Sequence, residues 1–490
     1  MERLNLAKPD MNKLLLFQDT IANNLILNPE SPAIISETTE LSYKELINKS
    51  SAVSNYLIQK GITQNSSVGI IADNSIEFIL SIMALWNIGA VPVTINIRLT
   101  APELERELNF AGIKFLLTNR DVDLCDRIKI CMDEYASLTQ QGYFSVDMHS
   151  SSPALIMFTS GTTGKPKAVV HSFNSLTNSL KIGLTFFNYQ SGERWLASLP
   201  FYHIGGFQIF IRAFLTGSAV ILPDEIKNEF LLNAMYEFRP TYASFVPTQL
   251  NNFIENGIKP VDSLKQVLIG GGFISQEIIS RAKANGWNTV KVYGSTETAS
   301  LITALKKDDD KINSAGKPLP SVEIKILNDK GRELAINQSG EIAVKSPTLF
   351  INYLNNEEEY KSKFIDHFYL TGDFGHLDEE GYLFVEARRT DLIISGGENI
   401  NPFEIEEVLL SYSGIKEAVV FQLEDSKWGQ IPAAAITLYE KISVEVLQTF
   451  LRERLADYKI PRRIFYLDEL PKTPLGKIQK EKVKEICAEL

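Results

Sequence analysis

Residues 158–170 read FTSGTTGKPKAVV and combine hydroxyl groups, glycines and two lysines in one short stretch. Glycine, serine and threonine can turn backbone N–H groups and hydroxyls into a single concavity, which binds phosphate oxygens. Lys165 and Lys167 add positive charge. The string GTTGKP is not a Walker A loop, because no Ser or Thr follows its lysine. The stretch therefore predicts a phosphate site, and a polar surface loop is the alternative.

A second stretch of this kind, VYGSTETAS, spans residues 292–300. Tyr293 could stack on a purine. The hydroxyl of Thr296 beside the carboxylate of Glu297 suits a phosphate and its Mg²⁺, because this ion prefers oxygen ligands. The alternative is an ordinary helix start, with Ser295 or Thr296 as the N-cap.

Three weaker candidates follow toward the C-terminus. Asp373, after Gly372 in YLTGD, is an isolated carboxylate at a tight turn that could accept both ribose hydroxyls. An Asx-turn would explain it equally well. Residues 388–406, RRTDLIISGGENINPFEIE, place arginines and a glycine-rich turn before a helix. Lys477 follows Gly476 in a proline-containing loop, where a solvated lysine is the alternative reading.

Alternating strand and helix patterns must position these side chains. Ser42 and Glu45 form a capping box that opens a helix ending at Gly61. Apolar segments at 67–72, 91–95 and 114–118 predict strands around a helix at 75–89, and further strands are predicted at 219–222, 241–246, 267–270 and 289–294. This rhythm predicts parallel sheets with helices on both faces, whose ligands lie beyond the carboxyl ends of the strands. The phosphate stretch, the GGG at 270–272 and YGSTE all follow such ends.

The pattern changes near residue 320. Alternating segments separated by turn pairs predict a smaller antiparallel β region, and an α/β mixture returns from Asp391. We therefore expect an α/β protein in two parts. The first, residues 1–389, has doubly wound parallel sheets plus a small β region. The second, residues 390–490, is a small mobile α+β domain.

Composition excludes several classes of protein. A net charge of −11 disfavours nucleic acid as a partner, since phosphate backbones require a basic face. The sequence contains no run of about 18 apolar residues, so no membrane-spanning helix is predicted. Three cysteines without zinc-like spacing indicate a reducing environment, so we expect a cytoplasmic protein, monomeric or homo-oligomeric.

Taken together and in this order, TSGTTGKPK, YGSTE, YLTGD and the terminal GK closely resemble the adenylate-forming enzymes, which include acyl- and aryl-CoA ligases, luciferase-like enzymes and peptide-synthetase adenylation domains. The resemblance covers essentially the whole chain. It implies that a carboxylic acid reacts with ATP to give an acyl-AMP, and that coenzyme A then takes the acyl group. One departure is Ala168, where many members have glycine.

The resemblance also implies a role for each matching residue. The pyrophosphate is assigned to Thr159, Ser160, Gly161, Thr162, Thr163, Gly164 and Lys167. Glu297 would hold Mg²⁺ and Thr296 the α-phosphate, while Gly271, Gly272 and Tyr293 would frame adenine. Gly294 would lie between the cofactor and the acid pocket. Asp373 and Arg388 would bind the ribose hydroxyls. Lys477 would bridge the carboxylate and the α-phosphate, and after a rotation near Arg389–Thr390 the loop at Gly396 and Gly397 would replace it and line the thiol tunnel.

For the acid, several details resemble the 2-succinylbenzoate–CoA ligases of menaquinone and phylloquinone synthesis, among them NIRLT (96–100), LPFYHIGG and DLIISGGENINP. The implied acid pocket consists of His203, Phe207, Arg212, Gln249, Gly270, Ser300 and Leu301. Arg212 would face the carboxylate that the substrate retains. Alternatively, Arg212 could lie at the surface, on an amphipathic helix beginning at Gly206. His203 could alternatively be a core histidine whose hydrogen bonds are made within the core.

Two other functions stay open from the sequence. The chain could activate another aryl or fatty acid, or load a carrier protein. It could also be a noncatalytic acyl-adenylate binder, although Lys477, Glu297 and Asp373 are all present, which argues against this.

Overall fold

The computed structural model describes residues 28–122, 127–138, 149–159, 166–271, 274, 276–306, 308–328, 330–388, 393–400, 402–471, 478 and 480–489. Their strands form four sheets. Three sheets lie within residues 28–388, here called the large domain, and the fourth lies within residues 393–489, here called the small domain. The predicted boundary at residue 389 and the predicted pivot at Arg389–Thr390 fall outside the described residues.

The first sheet has nine strands, and its six central strands are parallel. In spatial order they are Lys317–Pro318, Thr303–Leu305, Thr289–Tyr293, Gln266–Ile269, Tyr242–Phe245, Arg194–Leu196, Ala219–Leu222, Pro32–Ser36 and Glu40–Ser42. The second sheet has seven strands, of which five are parallel. Its order is Asn352–Tyr353, Lys167–Ser172, Pro153–Thr159, Val91–Thr94, Ser67–Ile71, Phe115–Thr118 and Ile128–Cys131.

The third sheet is antiparallel, as the turn pairs after residue 320 predict. It consists of Glu323–Leu327, Gly340–Lys345, Phe368–Leu377, Phe364–Ile365 and Leu383–Arg388. The sheet of the small domain consists of Glu398–Ile400, Ile393–Ser395, Gly429–Leu438, Ile415–Asp425 and Arg463–Tyr466. Helices flank this sheet and enclose a core of their own, which includes Ile405, Leu447 and Leu451.

Twelve α-helices are found in the described part of the chain. They are Tyr43–Gln59, Ile76–Ile88, Ala101–Phe110, Phe173–Phe187, Ile204–Thr216, Asn228–Phe238, Pro247–Glu255, Gln276–Ala284, Glu357–Ser362, Pro402–Leu410, Val444–Arg452 and Lys480–Ala488. The capping box at Ser42 is present, and Gly89 ends its helix in the left-handed conformation that glycine adopts without steric cost. None of these helices is long and apolar enough to cross a membrane.

The core of the large domain joins its sheets through aromatic side chains. Trp86 packs edge-on against Phe173 and Phe207, and its indole N–H donates to the carbonyl oxygen of Ala154 in the second sheet, 2.7 Å away. The helix predicted to begin at Gly206 begins at Ile204 and lies inside this core, because its residues are apolar on nearly every face. The α/β fold class is confirmed.

Candidate active site at the domain interface

A cavity of about 880 Å³ opens where strands of the first two sheets end and the small domain meets the large one. Its wall includes residues from every motif described above except YLTGD and the terminal GK. The lining residues that the sequence predicted are Thr159, His203, Arg212, Gln249, Gly270, Gly271, Gly294, Thr296, Ser300, Gly396 and Gly397. The cavity is therefore the place where the predicted chemistry would occur.

The two ends of the phosphate stretch belong to neighbouring antiparallel strands. Thr159 pairs with Lys167 at their ends, and Ser160, Gly161, Thr162, Thr163 and Gly164 between them lie outside the described residues. The Nζ atom of Lys167 lies 2.6 Å from the Glu359 carboxylate and 4.4 Å from the centre of the Tyr353 ring. A phosphate would have to compete with Glu359 for this lysine.

Thr296 and Glu297 begin a one-turn 3₁₀ helix with Ser295 at its N-cap position, but the Ser295 hydroxyl has no hydrogen-bond partner and does not cap the turn. Two residues that the sequence did not single out hold this turn. The Tyr353 hydroxyl donates to Oε1 of Glu297 at 3.0 Å, and Nε2 of His171 lies 2.7 Å from the carbonyl oxygen of Thr296. Neither was detectable from local sequence, because the contacts span 56 and 125 residues.

His171 is buried completely, and burial lowers the pKa of its imidazole from 6.5 to about 4. The ring is therefore neutral near pH 7. Because a carbonyl oxygen only accepts hydrogen bonds, Nε2 must carry the hydrogen that points to Thr296. The other ring nitrogen faces the Ser175 hydroxyl at 3.0 Å.

The predicted nucleoside residues meet across two sheets. The Tyr293 hydroxyl donates to Oδ2 of Asp373 at 2.6 Å, and Asp373 pairs in register with Arg388 on the neighbouring strand. Gly271 has a φ of 78°, which favours glycine, while Gly272 lies outside the described residues. The Asp373 carboxylate, which belongs to the third sheet, thus contacts the tyrosine at the end of a strand of the first sheet.

The donor set can be tested against Mg²⁺. No cluster of three or more His, Cys, Asp or Glu side chains in the described ranges could cage a metal ion. A single carboxylate, Glu297, oriented by a tyrosine hydroxyl, fits the usual Mg²⁺ site, in which one or two carboxylates act together with substrate phosphates.

Arg212 is not a surface residue. Its side chain is 1% exposed, which excludes the surface alternative, and one of its terminal nitrogens donates to Oγ of Ser300 at 3.2 Å. Its Nε atom is enclosed without a hydrogen-bond partner, and no carboxylate in the described part of the chain pairs with it. Burial lowers its pKa. A buried guanidinium thus borders the cavity, in contact with the Ser300 hydroxyl and with the Trp195 ring, whose centre lies 6.0 Å from Cζ.

Ser300 is held in an unusual conformation opposite this arginine. Its φ is 99°, a region that residues with side chains rarely adopt, and such strain is concentrated at functional sites. A close approach of two backbone segments fixes it: a Cβ atom on Gly294 would lie 2.1 Å from the Ser300 carbonyl oxygen. Glycine at 294 is therefore required for the shape of the cavity wall.

Three other predicted pocket residues have different surroundings. Phe207 and Leu301 are fully buried in the core and are not among the residues that line the cavity. Gln249 lines it, but its amide donates to the Ser198 carbonyl oxygen and accepts from the Val246 N–H. Its polar atoms thus hold the helix Pro247–Glu255 in place.

The small domain closes the cavity with Glu398 and two glycines. Nε2 of His203 lies 3.1 Å from Oε2 of Glu398, and Arg98 donates to Oε1 at 3.2 Å. Burial alone would raise the pKa of Glu398, but His203 and Arg98 outweigh it and hold the pKa below its ordinary value. Because Glu398 is ionised and only accepts, His203 Nε2 carries a hydrogen. His203 is therefore not a core histidine.

The two glycines meet different partners. Gly397, with a φ of 88°, packs on Val246 of the large domain, where an added Cβ would lie 3.1 Å from a methyl group. Gly396 packs on Trp428 of its own domain. Lys477, the predicted catalytic lysine, lies outside the described residues.

Comparison with known proteins assigns this arrangement to a family. The model of the AMP-binding enzymes matches residues 23–354, and that of the AMP-binding enzyme C-terminal domain matches residues 404–477. The chain is 34% identical over 475 residues to 2-succinylbenzoate–CoA ligase of Bacillus subtilis, an alignment that covers 94% of this chain and 96% of that one.

Two solved structures of a similar enzyme bear on the domain arrangement. A double mutant of o-succinylbenzoate CoA synthetase from Bacillus subtilis, bound with the product analogue OSB-NCoA, has a TM-score of 0.91 at 33% identity and covers 95% of this chain and 98% of that chain. The same enzyme in complex with ATP and magnesium has a TM-score of 0.74 at 32% identity and covers 95% of this chain and 99% of that chain. The chain belongs to the AMP-binding, adenylate-forming enzymes.

Proposed function

We propose that this protein is a 2-succinylbenzoate–CoA ligase, which converts the acid to an acyl-AMP with ATP and then transfers the acyl group to coenzyme A. The observation that carries the choice of acid is Arg212. A substrate that activates one carboxylate and keeps another needs a cation at the far end of its pocket. Burying a charge without a partner is costly, and an anionic substrate group would remove that cost.

In the first half-reaction, a carboxylate oxygen of the acid forms a bond to the α-phosphorus of ATP, and the bond to pyrophosphate breaks. Fixed cations and N–H donors are required because negative charge builds on the phosphate oxygens. The phosphate stretch with Lys167 would hold the departing pyrophosphate, and Thr296 would hold the α-phosphate. Asp373 would accept the ribose hydroxyls, and Lys477 would approach the reacting carboxylate.

Glu297, supported by Tyr353, would hold Mg²⁺, which supplies charge neutralisation for the phosphates. His171 keeps the carbonyl of Thr296 in place from behind. These two supporting residues explain how a single turn can present a hydroxyl and a carboxylate in a fixed relation.

In the second half-reaction, the thiol sulfur of coenzyme A bonds to the acyl carbon, the thiol loses its proton, and AMP leaves. The small domain as it lies here supports this step, since Gly397 and Glu398 border the cavity. The higher TM-score to the complex with a product analogue than to the complex with ATP supports the same assignment. We propose that rotation near Arg389–Thr390 exchanges this loop for Lys477.

The proposal places the protein in the cytoplasm, as an enzyme of menaquinone or phylloquinone synthesis. Its test is a panel of acids, with succinylbenzoate beside benzoates and fatty acids, incubated with ATP, Mg²⁺ and coenzyme A and analysed by mass spectrometry. We expect pyrophosphate release without coenzyme A and a thioester only after its addition. Release of ADP and phosphate would exclude an acyl-AMP, and preference for a monocarboxylic acid would exclude the assigned substrate.

A further inference from the structure

A second set of charges, of which Arg106, Glu404 and Lys459 line the same cavity, joins the two domains. Nζ of Lys459, in the small domain, lies 2.8 Å from Oε1 of Glu103 in the large domain and 3.0 Å from Oε1 of Glu404 in its own domain. Arg106 of the large domain reaches the same Glu404 oxygen at 3.0 Å. The side chains of Lys459, Glu103 and Glu404 are at most 9% exposed, so solvent screens these contacts poorly.

Glu103 serves the large domain as well. Its second oxygen accepts hydrogen bonds from the backbone N–H and hydroxyl of Thr100, 2.8 and 2.9 Å away, and so fixes the start of the helix Ala101–Phe110. The carboxylate that receives Lys459 is therefore rigid before the domains meet. Preorganisation of this kind favours one docking geometry over others.

A fifth group, Glu107, lies one helical turn beyond Glu103. Its Oε2 atom is enclosed and has no hydrogen-bond partner, although the residue as a whole is only partly buried. The charged or titratable groups that face it are Glu103 and Arg106 from its own helix, Glu404 from the helix Pro402–Leu410, and Tyr458 and Lys459 from the 3₁₀ turn Asp457–Lys459.

We propose that Lys459, Glu103, Arg106 and Glu404 form a latch that positions the small domain for the thiol half-reaction only, and that the latch closes best when Glu107 carries a proton. With Glu107 neutral, two cations meet two carboxylates. With Glu107 ionised, a third carboxylate, one oxygen of which is enclosed, faces the same two cations. The inference rests on the proposed two-step function, because a latch is useful only if the small domain takes more than one position.

The pKa of Glu107 supports the proposal that the latch closes best when Glu107 carries a proton. Burial raises it from 4.5 to about 8, although Lys459 and Arg106 act in the opposite direction. A carboxyl group whose pKa is higher in the docked state stabilises that state, and the stabilisation is complete at pH values below its ordinary pKa of 4.5. This contribution is lost progressively as the pH rises toward 8. Docking should therefore weaken with increasing pH across that window.

The first test separates the half-reactions in single turnovers of the full-length enzyme. Glu103→Gln keeps an oxygen for the helix cap but removes the charge, and Lys459→Met removes the cation. Each should slow conversion of supplied acyl-AMP and coenzyme A to thioester by about 10- to 100-fold, the scale of a lost charge-assisted hydrogen bond. Pyrophosphate release from ATP and acid should stay within about 2-fold of wild type.

Lys345→Met is the matched control, since Lys345 and Glu323 form a 2.8 Å ion pair entirely within the large domain. It should change neither half-reaction. Equal losses in both half-reactions, or no loss in either, would overturn the latch. A wild-type enzyme that released no pyrophosphate would instead refute the proposed function.

The second test is a gain of function, which a misfolded variant could not mimic. Glu107→Gln is neutral at every pH. The ratio of its thioester rate to the wild-type rate should increase by on the order of 10-fold between pH 6.5 and 8.5. Ionisation of the thiol affects both enzymes alike and cancels in the ratio. A ratio that does not change with pH would overturn the role of Glu107.

Discussion

His203 of the large domain and Glu398 of the small domain form a hydrogen bond of 3.1 Å between Nε2 and Oε2 at the cavity wall, although 195 residues separate them. The cavity is therefore completed by a side chain that enters with the small domain. A rotation of that domain would withdraw Glu398 and leave His203 at the cavity wall without this partner. The pair links the two domains at the site itself.

The first prediction concerns this pair. Glu398→Gln keeps the size of the side chain but removes the charge that draws His203 and Arg98 to it. We expect the rate of thioester formation from supplied acyl-AMP to fall by about 10- to 100-fold. Pyrophosphate release should be unchanged. Stopped-flow measurement of each half-reaction checks this, and an equal loss in adenylation would show that Glu398 acts in both.

The second prediction concerns Lys477, whose charge would stabilise the adenylation transition state. Lys477→Ala should slow pyrophosphate release by at least ~100-fold, the scale of losing one preorganised electrostatic group. The same variant should convert acyl-AMP and coenzyme A at nearly the wild-type rate. Gly397→Leu should do the reverse, because its side chain would press on Val246 and block the thiol path. Parallel losses in Lys477→Ala would contradict the exchange of roles.

The third prediction is that Arg212 lowers the free energy of unfolding of the substrate-free enzyme but is needed to bind the acid. Arg212→Met should raise the KM for succinylbenzoate about 10- to 100-fold, through loss of a charge-assisted hydrogen bond. The KM for ATP should not change. The free energy of unfolding without substrate should stay the same or rise by about 1 kcal/mol, because the variant no longer buries an unpaired charge.

Steady-state kinetics and denaturant titration of Arg212→Met check both parts. Ser300→Ala, which removes the hydroxyl that accepts from Arg212, should give a smaller increase in KM. An unchanged KM with reduced stability would make Arg212 a purely structural residue.

The fourth prediction concerns the support of Glu297. Tyr353→Phe removes the hydroxyl that donates to Glu297 and should raise the Mg²⁺ concentration for half-maximal pyrophosphate release about 5-fold, the scale of one neutral hydrogen bond. Tyr360→Phe is the matched control, because Tyr360 packs in the same aromatic cluster without reaching Glu297. Equal Mg²⁺ requirements in the two variants would contradict the assignment.

The fifth prediction is a pH dependence of stability. The pKa of His171 is lowered by burial from 6.5 to about 4, so the unfolded chain binds the extra proton between these values. The neutral His171 therefore contributes fully to the free energy of unfolding above pH 6.5. This free energy decreases by about 3 kcal/mol as the pH falls to 4. Urea titrations of wild type and His171→Gln should diverge in this window, whereas the exposed-site variant His149→Gln should follow wild type.

The sequence alone predicted the fold class, because strand and helix periods, the cap at Ser42 and the glycine at 89 are local features. It also predicted which short stretches bear chemistry, since a loop of glycines, hydroxyls and lysines is unusual wherever it lies. Family resemblance then identified the adenylate-forming reaction, and comparison with known proteins confirmed it.

Only the tertiary structure decided which side chains meet. Helical periodicity could not tell whether Arg212 faces solvent or the cavity, because the helix is apolar on nearly every face and burial depends on what packs around it. The same holds for Tyr353, His171 and Lys459, whose partners lie tens to hundreds of residues away. Phe207 and Leu301 were expected in the acid pocket, and the structure buries them in the core, outside the residues that line the cavity. Contacts of this range arise from how sheets and domains pack, and no local pattern encodes that packing.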